Sequence, residues 1–125
     1  MSENKKLTVV LGATTDPSRY AYLAAERLES HHQPFKLVSI KKGELFGQEF
    51  LDLKTKPNIE GVDTVTLYIG TARLTEWIDY ILSLQPKRII FNPGTENMEL
   101  AKAAEAMGIE TVFGCTLVML GTGQY

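Results

Sequence analysis

The chain has 125 residues, 44% of them hydrophobic and 22% charged, with a formal net charge of −2. That length suits one domain with a real core, and the mild negative charge offers nothing to a general nucleic-acid or membrane-surface binder. The single cysteine, Cys115, excludes an internal disulfide framework and suits a reducing compartment. Lys5 and Lys6 precede only a short apolar run before Gly12, which does not read as a signal peptide. No run approaches the roughly 18 apolar residues of a membrane span. A cytoplasmic protein with neither membrane nor nucleic-acid partner is expected.

Five strand-like runs alternate with helix-like runs, the pattern of a parallel sheet covered on both faces. The first strand, Leu7–Leu11, breaks into Gly12-Ala13-Thr14-Thr15-Asp16-Pro17. A helix follows over 17–30, with Asp16 as N-cap and Pro17 at its first position. Its inward side carries Tyr20, Leu23, Ala24 and Leu28. Strand two is Phe35–Ile40. The stretch Gly43–Gly61 is irregular, a long connection with room for one short strand or turn near Glu49–Leu53.

Strand three, Thr64–Ile69, leads to a second helix over 72–84, capped by Thr71 and ended by Pro86. Its stripe is Leu74, Trp77, Ile78, Ile81 and Leu82. Strand four, Arg88–Phe91, leads to a third helix over 98–107, capped by Asn97 and closed by Gly108, with Ala101, Ala104 and Met107 inward. Strand five is Glu110–Phe113. The last run, Cys115–Leu120, fits a short helix or a sixth strand equally well. The fold class is therefore α/β: a Rossmann-like, doubly wound, five-stranded and mainly parallel sheet in the order 3-2-1-4-5. Its reversal falls between strands one and four and sets the Gly12–Arg19 loop beside Asn92–Thr95.

Strand, glycine turn and helix start form a common receptor for the phosphates of nucleotide-type ligands, because free N–H groups at a helix start attract anions. The full dinucleotide fingerprint is missing: Thr14 and Pro17 stand at its second and third glycine positions. A plain structural turn is the competing explanation. Arg19, in the first helical turn, opposes the helix macrodipole unless an anion joins it. NAD-binding domains carry a carboxylate at the end of strand two, whereas this strand runs Ile40-Lys41-Lys42. Two lysines favour a ligand with an extra phosphate near its adenosine, such as coenzyme A or NADP, over NAD. Asn92-Pro93-Gly94 reads as a turn with one residue at positive φ, and Tyr68-Ile69-Gly70 adds a ring and a small residue to the same rim.

Catalytic groups are sparse. His31 and His32 end the first helix, far from the expected crevice, and no metal-ligand spacing or Ser–His–Asp arrangement is present. The residues leave three readings open. One is a non-catalytic nucleotide-type binding domain. Another is an NADP-linked or Cys115-dependent enzyme. The third is a protein-interaction module with a degenerate nucleotide site.

At these residues the chain resembles the family of small, stand-alone CoA-binding domain proteins. Their fold is shared with the CoA-binding domain of the succinyl-CoA synthetase α subunit. The matching segments are Val9–Thr14 with Pro17, Arg19 and Tyr20, then Val62–Tyr68, Phe91–Asn97 and Cys115–Leu120. The resemblance implies coenzyme A or an acyl-CoA as the small-molecule ligand. Its phosphates would meet Gly12, Ala13, Thr14, Thr15 and Arg19, with Tyr20 also among the ligand-binding residues. The phosphorylated adenosine would lie near Ile40, Lys41, Lys42, Tyr68, Ile69 and Gly70, and the rest would run past Asn92, Pro93 and Gly94. Family members often end strand two with a proline-rich segment, where this chain has Ser39–Lys42. The synthetases also use a phosphohistidine and partner domains, which these residues do not supply, so the resemblance implies binding and not ligation. A homodimer is a further expectation for so small a chain with an apolar C-terminal run.

Overall fold

In a computed structural model, which describes residues 6–125, six parallel strands form one sheet. They are β1 (Thr8–Leu11), β2 (Phe35–Ser39), β5 (Leu51–Asp52), β6 (Thr64–Leu67), β7 (Arg88–Phe91) and β8 (Glu110–Phe113). Two more strands, β3 (Glu44–Leu45) and β4 (Gln48–Glu49), make a separate antiparallel hairpin. The helices are α1 (Tyr20–Ser30), α2 (Thr71–Leu74), α3 (Ile78–Ser83), α4 (Met98–Ala106) and α5 (Thr116–Gly121).

The sheet order is β5-β2-β1-β6-β7-β8, which corrects the expected five strands and the expected 3-2-1-4-5. The missing strand is β5, two residues long, inside the stretch that reads as an irregular connection. It pairs with Val38 and Ser39 of β2 and occupies the edge assigned to Thr64–Ile69. The Thr64 strand instead pairs with β1, Thr8 opposite Thr64 through Leu11 opposite Leu67. Counted along the chain, the six strands run 3-2-1-4-5-6, the doubly wound order of dinucleotide-binding folds. The reversal therefore lies between β1 and β6. The loop after β1 neighbours Tyr68–Gly70, and Asn92–Thr95 sits one strand further out.

Alternate residues of each strand serve opposite faces. Val9, Leu11, Val65, Leu67, Ile89 and Phe91 pack with Leu74, Ile81 and Leu100 of α2, α3 and α4. Val10 and Leu37 pack with Ala25 and Leu28 of α1 and Leu120 of α5. The terminal run is thus a helix, lying beside α1. Burial on both faces explains why the central strands are continuously apolar or threonine-bearing. Where the strands begin, Arg88 is 7% exposed. It donates from Nε to Thr64 Oγ1 (3.0 Å) and from Nη1 to the carbonyl of Tyr125 (2.9 Å).

Three helix expectations need correction. Asp16 caps a turn ahead of α1 and not α1 itself. Its Oδ1 accepts from the Ser18 N–H (2.9 Å) and Oγ (2.7 Å), and the helix starts at Tyr20 with Arg19 as N-cap. The second helix is broken: Gly70, not Thr71, precedes α2, and a 3₁₀ turn at Thr75–Trp77 separates α2 from α3. Met107 does not face inward; it ends α4 and is 52% exposed. Asn97 does cap α4, accepting from the Leu100 N–H at 2.9 Å.

Gly12 is fixed by conformation and by contact. Its φ is +102°, and a Cβ there would lie 2.7 Å from the carbonyl oxygen of Tyr68. Gly12→Ala is therefore expected to lower unfolding stability by about 2 kcal/mol or more, since strain and overlap with backbone add. Urea denaturation checks this; a loss below about 0.5 kcal/mol would show that β1 and β6 separate easily.

Candidate functional site

A cavity of about 350 Å³ opens at the carboxyl ends of β2, β1, β6 and β7, within the range of small-ligand sites. Its floor is Gly12, Ala13 and Thr14 after β1, with Ser39, Ile40 and Lys41 after β2. Tyr68, Ile69 and Gly70 follow β6, and Pro93, Gly94 and Thr95 follow β7. Arg19 and Tyr20, at the start of α1, form one wall. The opposite wall is Arg73, Glu76 and Trp77.

Twelve of the fifteen expected site residues line this cavity: Gly12, Ala13, Thr14, Arg19, Tyr20, Ile40, Lys41, Tyr68, Ile69, Gly70, Pro93 and Gly94. Three do not. Thr15 is exposed and turns its methyl group toward Gly43; Lys42 is exposed outside the cavity. Asn92 is 3% exposed and held inside the fold. Tyr20, expected on the buried stripe of α1 as well as at the ligand, is 70% exposed at the rim.

Arg73, Glu76 and Trp77 escape a reading of the sequence because the second helix looks continuous and the Thr64 strand looks like an edge. With β6 central, the break at Thr75–Trp77 turns the start of that helix over the crevice. Trp77 is half-buried there, where a stripe of apolar residues suggests core.

The glycine loop is anchored by its own backbone. The N–H groups of Gly12 and Ala13 both donate to Val38 O, at 2.8 and 3.1 Å. The N–H groups of Thr14 and Thr15 are not among the donors so used. Asp16 stands just outside; hydrogen bonds from Ser18 hold its carboxyl below the ordinary value, and Arg19 and Lys41 act in the same direction. Among the described residues, Arg19, Lys41 and Arg73 form no ion pair. Three cations and one carboxylate, Glu76, thus line a cavity in a chain whose net charge is negative.

Beneath this floor lies a buried polar network. Asn92 Nδ2 donates to Thr66 Oγ1 (2.7 Å) and Leu67 O (2.9 Å), and its Oδ1 accepts from the Thr116 N–H (2.9 Å). Thr66 and Thr116 share a hydroxyl contact at 2.7 Å, and Tyr68 reaches Asn92 Oδ1 at 3.4 Å. One side chain thereby ties the ends of β6 and β7 to the start of α5. The turn above is closed by Thr95, whose N–H (3.0 Å) and Oγ1 (2.7 Å) donate to Asn92 O. The expected positive φ falls at Gly94, +91°. Cys115 is half-buried at the N-cap of α5.

The residues fit a polyanionic ligand. Gly12 brings bare backbone to the floor, and the cations stand on three sides of it. The family profile described as "CoA binding domain" matches residues 6–121. The chain belongs to the CoA-binding domain family. A solved structure titled as an uncharacterized protein is 55% identical, with a TM-score of 0.93, covering 97% of this chain and 98% of its own. A Thermus thermophilus protein is 26% identical at a TM-score of 0.80, covering 98% and 92%. A dinucleotide-forming acetyl-coenzyme A synthetase from Ca. Korarchaeum cryptofilum shares the fold at 19% identity and a TM-score of 0.72. This chain covers only 25% of that enzyme, and 87% of this chain is matched. No curated protein matches the chain.

Two outcomes follow from the network. Asn92→Ala leaves the Thr116 N–H without its acceptor in a dry interior and removes the donor to Thr66 Oγ1 and Leu67 O, and should cost about 2 kcal/mol or more in denaturant unfolding. Burial, the largest cause, pushes the Tyr68 phenol up to about 12 from 10.0. The fold thus prefers the neutral phenol; that contribution is intact below pH 10 and is lost as pH rises toward 12. Ultraviolet tyrosinate titration should show a step near pH 12, to which Tyr80 also contributes, that Tyr68→Phe reduces. A removed step near pH 10 would place the phenol in water.

Proposed function

We propose that this protein binds coenzyme A or an acyl-CoA in the cavity at the carboxyl ends of β2, β1, β6 and β7, without catalysing a reaction on its own. The single observation that carries the reading is the convergence of Arg19, Lys41 and Arg73 on one cavity whose floor is bare backbone at Gly12. Unpaired cations facing a concave site are costly to keep together unless a polyanion joins them. Arg19 is the most telling, because it stands at the positive end of α1, where only Asp16, just outside the cavity, offsets its charge. Family membership supplies the ligand class.

In this reading the diphosphate lies over Thr14 and the start of α1, where Arg19 meets it. The 3′-phosphate faces Lys41 at the end of β2. The adenosine lies along Ile40 and Tyr68–Gly70, and the pantetheine arm leaves past Pro93 and Gly94. The cavity holds part of such a ligand and leaves the arm at the surface, where a partner enzyme could reach the thiol. Lys42 lies outside the cavity, so the phosphate preference rests on Lys41 alone.

Ligand that binds only the folded state raises the melting temperature, by about 2.7 kcal/mol of stabilisation at a hundredfold excess over Kd. Thermal unfolding with CoA, dephospho-CoA, NADP and NAD tests the reading. The expected result is the largest shift with CoA and a reduced one with dephospho-CoA. Lys41→Ala should weaken CoA binding about ten-fold or more, as loss of a charge-assisted hydrogen bond does, while Lys42→Ala leaves it within about twofold. Equal stabilisation by CoA and dephospho-CoA would remove the 3′-phosphate from the account. A response to NADP alone would point to a redox enzyme.

A further inference from the structure

The hairpin of β3 and β4 has no place in the sheet, yet it is docked at two points and closed across its base. Its turn, Phe46 and Gly47, has φ of +53° and +79°, the two positive angles of a tight hairpin turn. The Phe46 ring meets Tyr22 of α1, with centroids 6.1 Å apart. On its side, Gln48 Nε2 donates to Phe35 O at 3.0 Å. At its base, the Phe50 N–H donates to Gly43 O at 2.8 Å.

That base touches the ligand cavity from behind. A Cβ on Gly43 would lie 2.7 Å from Cε2 of Phe50 and 2.8 Å from Cγ2 of Thr15. Gly43 does not sit in the left-handed region, so only contact opposes a side chain there. Two residues before it stands Lys41, and the residue before Thr15 is Thr14; both of these line the cavity. Gly43 is therefore squeezed between Phe50 of the hairpin base and Thr15 of the glycine loop, beside the β1 and β2 parts of the cavity floor.

We infer that Gly43 is a positioning residue: its lack of a side chain lets the hairpin press Thr15, and so sets the spacing between the glycine loop and Lys41. This rests on the CoA reading above for its functional meaning. The hairpin is fastened at its turn to α1 and at its side to β2, and closed across its base, which resists its swinging away. Thr15 is β-branched, so two of its three staggered χ1 rotamers keep a heavy atom in the position that meets residue 43. An added methyl at residue 43 is thus passed to the loop, in the manner of an overpacked core. Thr15, which does not line the cavity, acquires a role as the contact through which the hairpin reaches it.

Gly43→Ala, read by backbone amide NMR and CoA titration, tests the inference. The amides of Gly12–Thr14 and Lys41 should shift, and CoA affinity should fall about ten-fold, the scale of a tightly overpacked contact. Gly43→Ala combined with Thr15→Ser, which deletes the opposing methyl, should return both toward wild type. If Gly43→Ala does not fold, Phe50→Leu relaxes the same contact without adding atoms and should move the same amides. Unmoved loop amides in either folded variant, or CoA affinity unchanged in Gly43→Ala, overturn the inference. Wild-type protein that fails to bind CoA contradicts the functional reading instead, and the amide shifts then decide the coupling by themselves.

Discussion

The constraint on which this structure depends is the close approach of β1 and β6 where both strands end. Parallel strands lie about 4.8 Å apart, and at Gly12 the backbone comes so near the Tyr68 carbonyl that a Cβ would be 2.7 Å from its oxygen. The chain turns there at a φ closed to other residues without strain. Both the Gly12 and Ala13 N–H groups fasten back onto Val38 of β2. Three strands are thereby pinned at one spot, and the reversal of strand order opens the crevice directly above it. The helices diverge from that point, α1 to one face and α2 to the other, so the cavity follows from topology before any side chain is considered.

Two kinds of polar group then have separate duties. Those beneath the floor, centred on Asn92, are satisfied by one another and hold the strand ends in register with α5. Those above it, Arg19, Lys41 and Arg73, have no ion-pair partner among the described residues and face the cavity. Satisfied groups inside and unsatisfied charge at the opening are what distinguish scaffold from recognition surface. Among the described residues, no helix is long and apolar enough to cross a membrane.

Much of this was legible in the sequence. Arg88–Phe91 and Glu110–Phe113 match their strands to the residue, because short runs rich in β-branched and aromatic residues and bounded by turns read as strands. The glycine loop and the turn at Gly94 declared themselves through residue types with specific backbone needs. Strand β5 was legible only as room for a short strand or turn near Glu49–Leu53: two residues carry no periodicity, and its place beside β2 could not be read. Missing it displaced the Thr64 strand to an edge and hid Arg73, Glu76 and Trp77, whose apolar-stripe pattern looks like ordinary helix. Asn92 misled in the other direction. An asparagine in a turn resembles a ligand contact, and only burial shows that its amide serves the fold. Gly43 gave no signal at all, since its importance lies in a contact with Thr15, 28 positions away in sequence.

The central claim is that CoA occupies this crevice, and amide chemical-shift mapping during a CoA titration addresses it most directly. The account predicts saturable shifts confined to the cavity lining, at Thr14–Tyr20, Ile40–Lys41, Ile69–Gly70, residues 73–77 and Gly94–Thr95, with the opposite end of the sheet around Pro34 and Lys87 unmoved. Shifts centred at that opposite end, or none at millimolar CoA, would contradict it.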